Sequence, residues 1–221
     1  MSYKTDSKWL LEIKYKGHVN EAYKSDLKRL KDGEPLDYLI GHSDFLNTKI
    51  LLQFRPLIPR TETEYWVEEA ISNIDKNSNL DILDIFSGSG CIGIAILKHL
   101  PKSSVTFAEI RKDLIKTIKE NIKINMLANR NYKIVQSDVF ESVIGRFDYI
   151  FANPPYIDRK RKTAEASVIK YEPHDALFTD ENGLKFIKKL IVESPKYLKN
   201  KGVLFIEFDS WQKSLIKTYA R

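Results

Sequence analysis

The spacing of hydrophobic and polar positions divides the chain into two regions and a connecting segment. Residues 1–45 are polar and rich in lysine, and their apolar positions recur at the three- and four-residue intervals of a helix. We expect two or three short helices there, ending near the Gly-Glu-Pro sequence at 33–35. Residues 46–60 form the connecting segment, and a loose alternation from 45 to 54 predicts a hairpin or an extended arm.

Residues 61–221 alternate predicted strands with predicted helices. Apolar runs predict strands at 80–85, 105–110, 132–135, 147–152 and 203–208, and helical periodicity marks 92–99, 114–126 and 183–198. Strands that alternate with helices pair in parallel and carry helices on both faces. The pattern therefore predicts an α/β fold with a Rossmann-like, mostly parallel sheet, preceded by a short helical N-terminal region.

Composition adds limits on the setting of the protein. The 221 residues are 43% hydrophobic, enough for a buried core, yet no apolar run reaches the length of a membrane span. Asp6 and Glu12 argue against a targeting signal, and a single cysteine fits a reducing compartment, so we expect a cytoplasmic protein with no membrane partner. The four histidines lack metal-ligand spacing, so no metal is expected.

Three glycines mark the turn from the first strand of the α/β region into its helix: Gly88, Gly90 and Gly93. Glycines let the backbone approach a ligand closely, and the helix start offers free N–H groups. Glu109, about 20 residues further on, is placed for the ribose hydroxyls of an adenosine-type cofactor. Asp84 would repel a diphosphate but attract an ammonium group, so the segment predicts S-adenosylmethionine rather than a dinucleotide.

Another acid follows the third predicted strand, within Ser137, Asp138 and Val139. Asp138 is placed to accept a hydrogen bond from the adenine amino group, with Val139 against the ring. The alternative interpretation is that Asp138 caps a helix.

An Asn-Pro-Pro-Tyr tetrapeptide at 153–156 directly follows the fourth predicted strand. Ligands of open α/β sheets bind at the carboxyl ends of the strands, so this segment should face the same crevice as the glycines. The side-chain carbonyl of Asn153 and the backbone carbonyl of Pro154 can accept both hydrogens of a planar –NH₂ group, and Tyr156 offers a ring to stack on it. Holding both N–H bonds would aim the nitrogen lone pair at the methyl group, so positioning would provide most of the catalysis.

These segments resemble the HemK/PrmC family of release-factor glutamine methyltransferases over residues 33–208, most of the chain. The Gly-Glu-Pro-Leu-Asp-Tyr segment at 33–38 resembles the family's entry to its linker. The segment 56–64, Pro-Leu-Ile-Pro-Arg-Thr-Glu-Thr-Glu, resembles its Pro-Arg-Pro-Glu-Thr-Glu signature, and the Asn-Pro-Pro-Tyr motif matches fully. The Tyr-Glu-Pro sequence at 171–173 matches its later loop.

The resemblance implies an N-terminal substrate-recognition region at 1–45, a linker or hairpin at 46–60 and a methyltransferase domain at 61–221. It implies methylation of the glutamine in the Gly-Gly-Gln loop of a peptide-chain release factor, with Asn153, Pro154 and Tyr156 acting at the substrate amide. The expected substrate-binding residues are Arg60, Asn153, Pro154, Pro155, Tyr156 and Glu172. The expected cofactor-binding residues are Asp84, Phe86, Gly88, Gly90, Glu109, Ser137, Asp138, Val139 and Asn153.

The chain departs from the family pattern at three places. Phe86 stands where the family has the first glycine of its loop, and Thr61 replaces a proline. The family sheet has two more strands after the fifth, whereas the sequence after residue 208 shows one amphipathic stretch, beginning near Trp211. We therefore expect either a helix from Trp211 to Tyr219 or a partner chain to cover the last strand.

Two other functions fit parts of the sequence. An exocyclic amine of adenine or guanine in RNA or DNA is also a planar –NH₂ group, and Phe86 and the net charge of +6 favour that substrate slightly. The charge is too small to identify nucleic acid by itself, and contact with it could also be indirect, through the ribosome. A catalytically weak binding or assembly protein is the second alternative.

Overall fold

The computed structural model describes residues 3–161 and 165–219. In the N-terminal region, α1 (Tyr3–Trp9) continues as a π-helical turn and is followed by α2 (Glu21–Lys31) and α3 (Leu36–Ile40). The predicted short helices are confirmed, but their expected end at 33–35 is wrong. Pro35 is the residue immediately before α3. Its missing N–H would have no partner within the helix at that position, so proline does not prevent a further helix from starting there. Leu10, Tyr23, Leu30 and Leu39 form a separate small core in this region.

An antiparallel hairpin follows, with β1 (His42–Phe45) and β2 (Thr48–Leu51) joined at Leu46 and Asn47. The predicted hairpin is present, although it begins and ends three residues before the expected 45–54. Phe45 and Ile50 pack into the main core, which anchors the hairpin to the α/β region.

The α/β region has the predicted alternation of elements. Its first half contains α4 (Thr61–Ser72), β3 (Asp81–Ile85), α5 (Cys91–His99), β4 (Ser104–Glu109), α6 (Lys112–Ile124), β5 (Tyr132–Gln136) and β6 (Phe147–Ala152). Its second half contains β7 (Ile157–Asp158), α7 (Ala166–Tyr171), α8 (His174–Leu177), β8 (Phe178–Thr179), α9 (Lys185–Glu193), β9 (Leu198–Ile206) and α10 (Lys213–Tyr219).

Five of these strands form one parallel sheet in the order β5-β4-β3-β6-β9. One core contains buried residues of α4, α5 and α6, and a second core is centred on Leu83, Ile85, Phe140, Ile150 and Leu190. The chain leaves β3 in one direction and later returns to its other side at β6, so a crevice opens between the carboxyl ends of these two strands. The predicted fold class is confirmed, and the sheet places the glycine turn and the Asn-Pro-Pro-Tyr motif side by side.

The last helix–strand pair differs from the prediction. The helix expected over 183–198 is confined to α9, because Ser194–Lys196 is a 3₁₀ turn that contains Pro195. Strand β9 begins at Leu198 instead of 203, because Leu198 already pairs with Phe147 of β6 before an irregularity in the register.

The helix predicted from Trp211 to Tyr219 forms as α10 from Lys213, but its main helix contact is with α9 and not with the last strand, which it was expected to cover. Within residues 3–161 and 165–219, no strand pairs with the outer side of β9, and no β9 residue is fully buried. No described helix is long and apolar enough to cross a membrane.

Candidate active site

The turn after β3 is shaped by three residues with positive φ: Phe86 at 60°, Gly88 at 56° and Gly90 at 82°. Gly88 donates its N–H to Glu109 Oε2 at 2.8 Å, and this bond links the turn to the end of β4. Phe86 adopts a backbone conformation that suits glycine better. Its ring packs edge-to-face on Phe186, with 5.2 Å between the centroids, so packing stabilises the strained position.

A cavity of about 260 Å³ lies over this turn, at the carboxyl ends of β3, β4, β5 and β6. Seven of the nine expected cofactor-binding residues line it: Phe86, Gly88, Glu109, Ser137, Asp138, Val139 and Asn153. Pro155 lines it as well. The fold therefore places most of the residues expected to bind the cofactor around one cavity.

The lining fits an adenosine-type cofactor. Each Glu109 oxygen accepts one backbone N–H, from Gly88 or Arg111, and a carboxylate oxygen has a second lone pair that can take a ribose hydroxyl. Ile110 and Val139 supply apolar surface for a ring, and the exposed Asp138 also lines the cavity. Ser137 Oγ donates to the Val139 carbonyl oxygen at 2.8 Å and so stabilises the turn that carries Asp138.

Asp84 and Gly90 lie beneath the cavity and do not line it. Asp84 is 1% exposed, and its Oδ2 accepts the N–H of Gly93 at 3.0 Å. Gly90 caps the start of α5 and packs against Ile118. In this structure the two residues support the glycine turn from below.

Burial of two acids under the turn changes their proton affinity. The pKa of Asp84 is raised from 3.8 to about 8, because burial and, to a smaller extent, the Glu109 carboxyl raise it more than the hydrogen bond from the Gly93 N–H lowers it. Burial also raises the pKa of Glu109, although the N–H groups of Arg111 and Gly88 oppose that rise. A ligand that brought positive charge to this site would lower both pKa values and favour the ionised carboxylates.

Asp84→Asn should become more stable relative to the wild-type chain as the pH rises from about 5 to 8. A carboxyl whose folded pKa is raised costs stability once the pH exceeds its unfolded pKa, and asparagine removes that cost. We expect the difference in unfolding free energy to grow by about 3–4 kcal/mol over this range, because it changes by about 1.4 kcal/mol for each pH unit between the unfolded and the folded pKa. Urea unfolding of both proteins at several pH values measures this difference. His42, whose pKa is lowered by burial, also makes stability depend on pH, but its contribution is the same in both proteins and drops out of the difference. A constant difference would contradict a raised pKa at Asp84.

The Asn-Pro-Pro-Tyr motif begins one residue after β6. Asn153 lines the cavity of about 260 Å³ and also a small cavity of about 40 Å³ beside the glycine turn. Its Nδ2 donates to Thr63 Oγ1 of α4 at 3.1 Å, and the Tyr156 hydroxyl donates to Glu207 at 3.0 Å. Among the described residues, no donor bonds to Asn153 Oδ1 or to the Pro154 carbonyl oxygen. Both oxygens are thus without a donor in this part of the chain, but only Asn153 lines the two cavities, and the buried Pro154 and the half-buried Tyr156 line neither.

Arg60 and Glu172, two expected substrate-binding residues, contact each other. Arg60 Nη2 donates to Glu172 Oε1 at 2.6 Å, and the Ile58 N–H donates to the other carboxylate oxygen at 3.1 Å. The Glu172 side chain is 1% exposed. This pair joins the segment before α4 to the Tyr-Glu-Pro loop, whose Pro173 lines the cavity of about 260 Å³ over the glycine turn.

Several cavity residues escaped the sequence prediction. Ile110, Leu114 and Phe186 supply much of the apolar lining. Ile110 was detectable, since it is an apolar residue directly after the strand-end acid Glu109 and it remains 55% exposed. Phe186 belongs to α9 and carries no motif, so only the fold brings it to the site. Among the described residues, no group of three or more His, Cys, Asp or Glu could hold a metal ion.

Comparison with known proteins agrees with this geometry. A family model described as "Methyltransferase small domain" matches residues 69–172. A solved methyltransferase from Pyrococcus furiosus superposes with a TM-score of 0.59 at 17% identity, covering 89% of this chain and 85% of that one. At that identity the superposition shows the shared fold.

Curated relatives are closer in sequence. The release factor glutamine methyltransferase of Streptococcus pneumoniae is 37% identical over 183 residues, which are 81% of this chain and 63% of that protein. The protein of the same name from Thermodesulfovibrio yellowstonii is 36% identical over 205 residues, 89% of this chain and 71% of the relative. This chain therefore spans roughly two thirds of the length of these relatives. By this similarity, the chain belongs to the family of release factor glutamine methyltransferases.

Proposed function

We propose that this chain methylates the side-chain amide nitrogen of a glutamine, using S-adenosylmethionine as the methyl donor. The observation that carries the proposal is the pair of available acceptors, Asn153 Oδ1 and the Pro154 carbonyl oxygen, next to a cavity that fits an adenosine-type cofactor. Two fixed acceptors match the two N–H bonds of a primary amide.

The residues that would hold the cofactor are those that line the cavity of about 260 Å³ over the glycine turn. Glu109 would accept the ribose hydroxyls, Asp138 would accept the adenine amino group, and Val139 and Ile110 would enclose the ring. When bound, S-adenosylmethionine supplies a methyl carbon on a positively charged sulfur, which departs with the electron pair of the carbon–sulfur bond.

The protein residues would make a weak nucleophile reactive by holding it in place. The lone pair of an amide nitrogen is delocalised into its carbonyl group. Hydrogen bonds from both N–H groups to Asn153 and Pro154 would strengthen as positive charge develops on the nitrogen, and they would orient the lone pair. Pro154 and Pro155 restrict the backbone, which keeps the acceptors in register. The methylated nitrogen then releases one proton to water.

The proposed substrate is a peptide-chain release factor, as the names of the relatives suggest. A cleft of about 600 Å³ between the N-terminal helices and the α/β region supports a recognition role for residues 1–45. Trp9 and Ile13 line this cleft, and Arg60 lines both the cleft and the small cavity beside Asn153. The acids Asp6 and Glu12 near the N-terminus and the single cysteine support a cytoplasmic location for this reaction.

Labelled methyl transfer tests this proposal. The chain is incubated with S-adenosylmethionine carrying a radioactive methyl group and with a purified release factor, its Gly-Gly-Gln→Gly-Gly-Ala variant or total RNA. We expect label only on the intact factor. Label on RNA would favour the nucleic-acid amine. Absence of label on every substrate, with cofactor binding intact, would count against the glutamine assignment and favour a binding role.

A further inference from the structure

Glu207 lies beside the Asn-Pro-Pro-Tyr motif, but it belongs to none of the functional motifs identified in the sequence. Glu207 directly follows β9, as Asn153 directly follows β6. Ala152 and Ile206 are register partners in the sheet, and the Glu207 N–H donates to the Ala152 carbonyl oxygen at 3.0 Å. Parallel pairing therefore sets Glu207 and Asn153 next to each other at the carboxyl edge.

The Glu207 carboxylate gathers three donors from two different segments. Its Oε2 accepts the Thr63 hydroxyl at 2.6 Å and the Trp66 indole N–H at 2.8 Å, both from α4. Its Oε1 accepts the Tyr156 hydroxyl at 3.0 Å. The Thr63 bond has the short length of a hydrogen bond to a charged acceptor.

These bonds determine which way the Asn153 amide faces. An ionised carboxylate can only accept, so the Thr63 hydroxyl hydrogen points to Glu207. The Thr63 oxygen then has only lone pairs to offer Asn153, 3.1 Å away. Asn153 must therefore present its –NH₂ group to Thr63, which turns Oδ1 away from α4. Without Glu207, the Thr63 hydroxyl could donate instead, and either orientation of the amide would be allowed.

Gln212 fixes the backbone of the same motif from behind. Its side chain is 0% exposed, and Nε2 donates to the carbonyl oxygens of Tyr156 at 2.9 Å and Asn182 at 3.0 Å. Thus Glu207 contacts the Tyr156 hydroxyl while Gln212 contacts its main chain. Both contacts come from the few residues that follow β9.

We propose that Glu207 is a positioning residue for methyl transfer: through Thr63 it sets the orientation of the Asn153 amide, and directly it holds the Tyr156 ring. This inference rests on the proposed function, because the orientation matters for an acceptor of a substrate –NH₂ group. Glu207 acts through its neighbours and is not assigned a contact with the substrate.

Paired variants measure the role in catalysis. Glu207→Ala and Thr63→Val should each lower kcat by about 10- to 100-fold, because the acceptor loses its fixed orientation, while KM for the release factor changes little. Thr63→Ser keeps the hydroxyl and should retain most of the activity. Glu207→Gln should do so as well, since its carbonyl oxygen can accept from Thr63 and Trp66.

Glu64→Ala is the matched control. Glu64 lies one residue after Thr63 on α4, but its carboxylate accepts the Leu46 N–H at 2.7 Å, on the side of the hairpin. It should keep the wild-type kcat even if its thermal stability falls. If Glu64→Ala loses as much kcat as Glu207→Ala, or if Thr63→Ser fails to rescue the Thr63→Val defect, the positioning role is wrong.

Nuclear magnetic resonance tests the same inference without any substrate. The Asn153 side-chain amide signals are identified by their loss in Asn153→Asp, and their hydrogen exchange is then compared. We expect slow exchange in the wild-type chain and faster exchange in Glu207→Ala and Thr63→Val. Unchanged exchange in both variants would overturn the inference. If the wild-type chain methylates nothing, the proposed function fails, and these exchange rates alone decide whether Glu207 orients Asn153.

Discussion

Asn153→Ala should lower kcat for methyl transfer by about 100- to 1,000-fold while the protein stays folded. The substitution removes one of two fixed acceptors, and the loss of one preorganised hydrogen-bonding group from an active site has that size of effect. The remaining acceptor, the Pro154 carbonyl oxygen, would hold only one N–H of the amide, so the nitrogen lone pair would no longer be fixed in direction. Single-turnover transfer to a release factor measures the chemical step directly.

Two comparisons separate this effect from general damage. Asn73→Ala removes an exposed asparagine at the end of α4, whose Nδ2 donates to the Glu69 carbonyl oxygen, and it should leave kcat unchanged. Cofactor affinity of Asn153→Ala should fall much less than kcat, because the Glu109 side of the cavity is untouched. A kcat within a few-fold of wild type would mean that Asn153 is not an acceptor for the substrate.

Gly93→Ala should destabilise the chain by about 2 kcal/mol or more, although alanine is the better helix former. A Cβ at Gly93 would lie 2.2 Å from Phe107 Cε1 and 2.9 Å from Asp84 Oδ2. Helix propensity would contribute about 1 kcal/mol in favour of alanine. Overpacking in a core costs about 1–3 kcal/mol, and the upper end applies here because Phe107 and Asp84 are both buried and cannot move away.

Urea unfolding measures this loss, and Gly17→Ala is the comparison. At Gly17 a Cβ would meet nothing within 4 Å, but φ is +83°. Gly17→Ala should lower the free energy of unfolding by about 1 kcal/mol, through backbone strain alone, and leave cofactor affinity unchanged. Gly93→Ala should weaken cofactor binding as well, because displacement of Asp84 shifts the glycine turn. A Gly93→Ala protein more stable than wild type would show that α5 can move away from β4.

Much of the fold was readable from local patterns. The strands β3 to β6 were predicted to within one or two residues, because each is a short, mainly apolar run followed by polar or turn-forming residues. The glycine turn and Glu109 also lie where the spacing placed them. The helix that forms α9 was predicted too long because hydrophobic periodicity continues past Glu193. Pro195, in the 3₁₀ turn that follows, decides where the helix ends.

The parts that could not be predicted depend on distant contacts. Arg60 and Glu172 are 112 positions apart, and nothing local indicates that they bind each other. Glu207 reaches the Asn-Pro-Pro-Tyr motif only because β9 pairs with β6. Asp84 was expected in the cavity because it precedes the glycines, but strand β3 directs its side chain beneath them to Gly93. Side-chain direction at the end of a strand depends on the three-dimensional packing.

The chemical position of the transferred methyl group tests the central claim most directly. After reaction of this chain with a release factor, the peptide containing the Gly-Gly-Gln loop is isolated, sequenced by tandem mass spectrometry and hydrolysed in acid. We predict one methyl group on the glutamine side chain and release of methylamine, which requires a carbon–nitrogen bond. A methyl group on another residue, or release of methanol from an ester, would contradict the assignment of Asn153 and Pro154 as acceptors for a glutamine amide.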